Sequence, residues 1–152
     1  MMTKAIFFAL FFLFVLFILS AWYLEKDKTV IQSNKTIISK SNGAFHTMVL
    51  INGVERLAMI DTGATYVAMS EQIANELGID YLSGLSVQSM TANGLVNGKL
   101  IRLDSVKVGN IQLYNVGAVV LDSDMKLVLI GLSFLNRISL MIENKKIILS
   151  NF

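Results

Sequence analysis

The sequence predicts one mostly β domain with a single short helix, preceded by an N-terminal helix long enough to cross a membrane. Three observations carry this expectation. Residues 5–24 form an apolar run of about twenty in which only Ser20 is polar, the length that a bilayer core requires. Beyond it, short apolar stretches are separated by turn dipeptides such as Asn52-Gly53 and Gly109-Asn110, the pattern of β-hairpins. Only residues 70–78 combine helical spacing with a cap residue at each end.

The apolar run holds six of the nine Phe and the only Trp of the 152-residue chain. The rest of the chain is an ordinary polar–apolar mixture of roughly 125 residues, enough for one domain and too short for a multidomain enzyme. The formal charge of +2 is spread without a basic block, so no nucleic-acid partner is expected. With no Cys, disulfide frameworks and thiolate zinc sites are excluded.

The end of the run, Ile18-Leu19-Ser20-Ala21-Trp22-Tyr23, places Leu19 where a signal-peptide cleavage site wants a small residue. Trp22 and Tyr23 suit a membrane–water interface. An uncleaved anchor is therefore expected, with a cleaved signal as the alternative. Lys4 and the amino terminus flank one side, against a neutral Glu25-Lys26-Asp27-Lys28 on the other. The positive-inside bias then leaves residues 1–24 as a cytoplasmic stub and transmembrane anchor. In a bacterium this is a single-pass inner-membrane protein with its C-terminal domain in the periplasm. Residues 25–42 are polar without a convincing period and read as a tether that joins the sheet near Thr36-Ile37-Ile38. Extended, it would span at most roughly 55 Å.

The domain proper is expected over residues 43–152. A hairpin turns at Asn52-Gly53, between residues 44–51 and 54–60. Leu57-Ala58-Met59-Ile60 is continuously apolar, which predicts a strand buried on both faces. Residues 70–78 form the helix: Ser70 caps it, Glu71 suits the positive end of its dipole, and Gly78 takes the left-handed position that ends it. Two strands come next around Thr91-Ala92-Asn93-Gly94-Leu95, then a hairpin at Gly109-Asn110 and a strand over 115–121. The buried run 126–130 ends in Gly131 and leads into a brief helical stretch, 132–137. Residues 138–142 and 146–150 are closing strands. The apolar approach to Gly131 faintly echoes the approach to Asp61-Thr62-Gly63.

Asp61 at the end of a wholly apolar strand needs explaining, because burying a carboxylate costs several kcal/mol unless it is hydrogen-bonded or protonated. A turn cap is the plain alternative. The stretch Ala58-Met59-Ile60-Asp61-Thr62-Gly63-Ala64-Thr65-Tyr66-Val67, an apolar strand, an Asp-Thr-Gly-Ala and a β-branched exit strand in order, resembles the retropepsin-like aspartic proteases, in particular their bacterial membrane-anchored branch. The resemblance runs over nearly all of residues 43–152. Thr91, Ala92, Asn93 and Gly94 sit where the family has a substrate-covering flap, although a plain hairpin turn explains them equally well. Leu129-Ile130-Gly131 resembles the family's second corner, and Gly131-Leu132-Ser133-Phe134-Leu135-Asn136 its bacterial members.

The resemblance implies a single-lobe, closed or orthogonal β-barrel in which Asp61 is catalytic and Thr62, Gly63 and Ala64 support its loop. Two carboxylates held about 3 Å apart cannot both ionise and so share one proton. One then takes a proton from water while the other donates to the substrate carbonyl. The chain has one Asp-Thr-Gly only: Asp104-Ser105 is followed by Val106, and Asp122-Ser123 by Asp124. A symmetric homodimer with its axis between two Asp61 side chains is implied, acting on polypeptide without metal or cofactor. The alternative is a catalytically weak or inactive peptide-binding module on the same fold. The retroviral Arg–acid pair is absent, since Leu132 and Thr65 occupy those positions. His46 is expected on the surface or at a strand edge, Asp122 and Asp124 in a solvated turn, and Met48, Met59, Met69 and Met90 in the core.

Overall fold

In the computed structural model, which describes residues 14–15, 29–32, 34–91 and 94–152, the strands fall into two sheets. The larger uses β3 (His46–Ile51), β4 (Val54–Ile60), β5 (Val67–Ser70), β6 (Leu85–Thr91), β7 (Gly94–Val108), β8 (Ile111–Leu121) and β9 (Val128–Ile130). Its order is β3-β4-β9-β5-β8-β7-β6, and β3 also pairs with β7. Six strands thus close into a barrel, which removes the unpaired edges that an open sheet would present. Strand β6 hangs on β7 outside the ring.

The smaller sheet has the order β1-β2-β11-β10, built from β1 (Thr29–Gln32), β2 (Lys35–Ser39), β10 (Ser139–Glu143) and β11 (Lys146–Ser150). All of its pairings are antiparallel. Strand β2 alternates, burying Thr36 and Ile38, and β11 answers with Ile147 and Leu149. These join Val49, Ile51, Val106, Ile130 and Phe134 in one core. Thr36 also pegs the small sheet to the barrel: its hydroxyl donates to Asn110 Oδ1 at 2.6 Å and accepts from Asn110 N at 3.3 Å. Gly109, with φ of +59°, passes so close to Thr36 that a Cβ there would meet the Thr side chain. The folded region therefore reaches back to Thr29, through most of the segment expected to be a tether.

Local chemistry explains the turns. Asn52 and Gly53 take φ of +49° and +85° between β3 and β4, as a tight two-residue turn requires. Helix α1 (Glu71–Glu76) is capped by Ser70 Oγ, which accepts from Ile73 N at 3.3 Å, and Gly78 comes after it with φ of +66°. Helix α2 (Leu132–Leu135) is a single turn. Strand β8 starts at Ile111, four residues before the expected strand.

Two expectations are corrected. Strand β4 alternates instead of being buried on both faces: Ala58 and Ile60 point inward, while Leu57 is 46% exposed. Barrel closure gives β4 one inner and one outer face, and a continuous apolar run cannot reveal which face lacks a cover. Met69 is in the core and Met59 only half-buried, but Met48 and Met90 are 48% and 77% exposed. Their strands alternate, and both residues fall on the outward register. His46 opens β3 half-exposed, and Asp122 and Asp124 are exposed. Among the described residues no helix is long and apolar enough to cross a membrane. The expected anchor lies outside them except for Phe14 and Val15, which are helical.

Candidate active site

Consecutive strands β4 and β5 are not neighbours. Strand β9 lies between them, parallel to β4 and antiparallel to β5, with Ile60 opposite Ile130 and Ala68 opposite Leu129. The chain leaving β4 must therefore cross over the end of β9 before it can return in β5. The crossing loop is Asp61-Thr62-Gly63-Ala64-Thr65-Tyr66, and beneath it lies Gly131. The two apolar approaches whose echo the sequence contains are thus adjacent parallel strands ending at one place.

Backbone hydrogen bonds hold the crossing in position. Asp61 N donates to Ile130 O (3.0 Å), Leu132 N to Ala64 O (2.8 Å), Ser133 N to Thr65 O (2.9 Å) and Ala64 N to Asp61 O (3.3 Å). The loop packs so closely on Gly131 that a Cβ there would fall 2.6 Å from Ala64 O and still nearer Tyr66 O. Glycine is needed at 131 for close approach of two backbones. At Gly63 a Cβ would stand 3.1 Å from a side-chain atom, Asp61 Oδ1, so there the carboxylate and not a backbone would have to give.

Asp61 is half-buried in the single chain, and its Oδ1 accepts from Gly63 N at 2.8 Å. A backbone donor aimed at a carboxylate orients it. Thr62, Gly63 and Thr65 are exposed. The carboxylate is thus presented at the rim of the barrel on a loop fastened from below and open above. Ala64, Ile130 and Gly131, read from the sequence as site residues, all lie in this crossing.

Ser133 is a positioning residue that the sequence reading did not single out. Its hydroxyl donates to Gly117 O at 2.7 Å and accepts from Val67 N at 3.0 Å. It ties α2 to the returning end of the loop and to β8. The available signal was a hydroxyl inside an otherwise apolar stretch, Leu132-Ser133-Phe134-Leu135. Tyr66, 38% exposed at the end of the loop, packs over Gly117, where a Cβ would stand 3.2 Å from its ring.

The expected flap is a real hairpin. Strands β6 and β7 pair from Leu85–Leu100 to Thr91–Gly94, and Thr91 Oγ1 donates to Gly94 O at 2.9 Å. Ala92 and Asn93 lie outside the described residues. Val87 and Val96 turn toward Ala68, Val119 and Leu121. On the other face Met90 and Leu95, registered partners near the tip, are 77% and 64% exposed.

A six-stranded barrel with a half-buried Asp on a loop crossing its own strand order defines an aspartic-protease-like fold. The chain belongs to the gag-polyprotein putative aspartyl protease family, whose profile matches residues 47–137, a span containing both Asp61 and Gly131. It is similar to the crystal structure of a retropepsin-like aspartic protease from Rickettsia conorii, at 29% identity and a TM-score of 0.66, over 77% of this chain and 99% of that one. It is also 30% identical over 102 residues to an uncharacterised protein encoded beside cobV in a Sinorhizobium species, covering 66% of this chain and 44% of that protein. An uncharacterised protein of Rickettsia prowazekii is 31% identical over 119 residues, 76% of this chain and 51% of its own length. The chain thus spans about half the length of these two relatives.

Proposed function

We propose that this chain is an aspartic endopeptidase that works as a homodimer, each subunit giving one Asp61 to a shared dyad. The observation carrying this reading is the asymmetry of the two corners. One holds Asp61 in the chain's single Asp-Thr-Gly; the other holds Gly131, where the crossing loop leaves no room even for a Cβ. The second carboxylate has to come from another copy, and a two-fold axis beside Asp61 supplies it. The exposure of Thr62, Gly63 and Thr65 in the single chain is what an uncovered interface would leave.

In such a dyad the two carboxyl groups hold one proton between them. The ionised carboxylate removes a proton from a water molecule, whose oxygen attacks the carbonyl carbon of the scissile peptide. The protonated carboxyl donates to the carbonyl oxygen. Collapse of the tetrahedral intermediate breaks the C–N bond as the leaving nitrogen is protonated, giving an acid and an amine without a covalent enzyme intermediate. The β6–β7 hairpin, with Thr91 and Gly94 at its tip, covers an extended peptide and offers it backbone groups.

The same proposal includes a membrane anchor formed by residues 5–24, with the folded domain outside the cytoplasm, at a bacterial inner membrane in the periplasm. Its support is the apolar run, Trp22-Tyr23 at its end, and the charge difference between its flanks. Anchoring raises the effective concentration of the second subunit.

The test is cleavage of a diverse peptide mixture by the full chain in detergent, read by mass spectrometry beside Asp61→Asn with the oligomeric state measured in both. Wild type cleaves and Asp61→Asn, still folded and dimeric, does not. Cleavage retained in Asp61→Asn overturns the assignment, and a dimeric wild type that binds peptides but cuts none assigns the fold to peptide binding instead.

A further inference from the structure

The outer face of the barrel is apolar where β3 and β4 meet. Met48 and Leu57 are registered partners on these strands, 48% and 46% exposed, beside the half-exposed Leu50 and Met59. Ile31 of β1, 58% exposed, faces the same groove of about 480 Å³, which Thr29, His46, Glu55 and Lys107 also line. The outer face of an antiparallel barrel strand is expected to be polar, so this face calls for a cover.

The position of Thr29 limits how far this face can stand from the proposed anchor. Its hydroxyl bonds to that of Thr47 on β3 at 2.8 Å, fastening the first residue of β1 to the groove. Strands β1 and β2 take up residues 29–32 and 35–39 of the expected tether. Only residues 25–28 then separate Leu24, the last residue of the apolar run, from the groove. Whatever conformation they adopt, the five steps from Leu24 to Thr29 span at most about 18 Å. The headgroup layer takes up roughly 5–8 Å of that.

We propose that the groove bounded by Ile31, Met48 and Leu57 is a lipid-docking face, held against the bilayer surface by this short connection. This rests on the proposed anchor at residues 5–24. The three apolar side chains enter the boundary between headgroups and acyl chains, as amphipathic surfaces do, while Lys107 at the groove reaches the lipid phosphates. In a two-fold dimer with both anchors in one bilayer the axis stands along the membrane normal, so both subunits present this face at the same height.

The absence of Cys makes the test clean. The full chain is reconstituted in vesicles of phosphatidylcholine and phosphatidylglycerol, with one Cys introduced as Met48→Cys, Leu57→Cys or, for comparison, Leu82→Cys in the exposed loop between α1 and β6. Each is labelled with a fluorophore and quenched by lipid carrying a nitroxide on its headgroup. The expected result is quenching at 48 and 57 at least about twofold stronger than at 82, in chains that float with the vesicles. Equal quenching at all three positions in floating chains overturns the docking face and leaves the anchor standing. Chains that do not float overturn the anchor and the docking face together. Disulfide formation between two copies of Met48→Cys, with no lipid quenching, hands the groove to a second subunit and also overturns the proposal.

Discussion

A methyl group at position 131 would sit against the carbonyl oxygens of Tyr66 and Ala64, the latter at 2.6 Å, and the loop bearing Asp61 would have to lift. Overpacking of this kind costs about 1–3 kcal/mol. Gly131→Ala is expected to lower stability by that amount in urea unfolding and to reduce peptide cleavage by more than its unfolded fraction explains, because the displaced group is the carboxylate. Ser133 acts through two hydrogen bonds rather than through bulk. Ser133→Ala leaves the buried Val67 N–H without that partner, a loss of about 1–3 kcal/mol. Ser133→Thr keeps the hydroxyl and should recover most of both stability and turnover, which separates the hydrogen bonds from the packing of α2. At Asp61 the exchange to Asn keeps the shape and removes the acid, so under the proposed mechanism its effect is expected on cleavage and not on folding.

Among the elements, β2 has the largest consequence for how the domain can be cut. It buries Thr36 and Ile38, covers one edge of β11, and is pegged to the β7–β8 turn through Asn110. A chain begun at Gly43, where the hairpin pattern starts, loses all of this. Ile38 alone contributes about 1.5–3 kcal/mol of burial, and the bared edge of β11 invites pairing between chains. Residues 43–152 are therefore expected to melt lower and aggregate where residues 29–152 stay soluble, as circular dichroism and gel filtration would read. The crossing of β4 and β5 over β9 is the second decisive element. It converts two separate stretches of sequence into one corner, and it makes Gly131 a structural condition for the placement of Asp61.

For the whole molecule, the proposed dyad makes activity a property of the dimer. Mixing nine parts Asp61→Asn with one part wild type, with subunits allowed to exchange, should leave roughly a tenth of the activity of the wild-type chains alone, because almost every wild-type subunit then faces an Asn. Activity that tracks the amount of wild-type chain regardless of the mutant would show that one subunit suffices. The same mixture run on gel filtration must remain dimeric throughout, so that the loss reads as chemistry rather than dissociation.

Much of this was legible in the chain itself, since hairpin dipeptides, cap residues and the Asp-Thr-Gly-Ala act over a few residues. Asn52-Gly53, Ser70 and Gly78 do what their local chemistry dictates, and strand positions agreed within a few residues. The sequence determined that Asp61 stands at the end of an apolar strand and that no second Asp-Thr-Gly accompanies it. Only tertiary structure decided that β9 enters between β4 and β5, that Ser133 braces the loop, that Leu57 and Met48 face outward, and that β1 and β2 consume the tether. These depend on pairings between residues tens of positions apart. Apolar composition reports that a strand can be buried, while which face receives a neighbour is settled when the barrel closes.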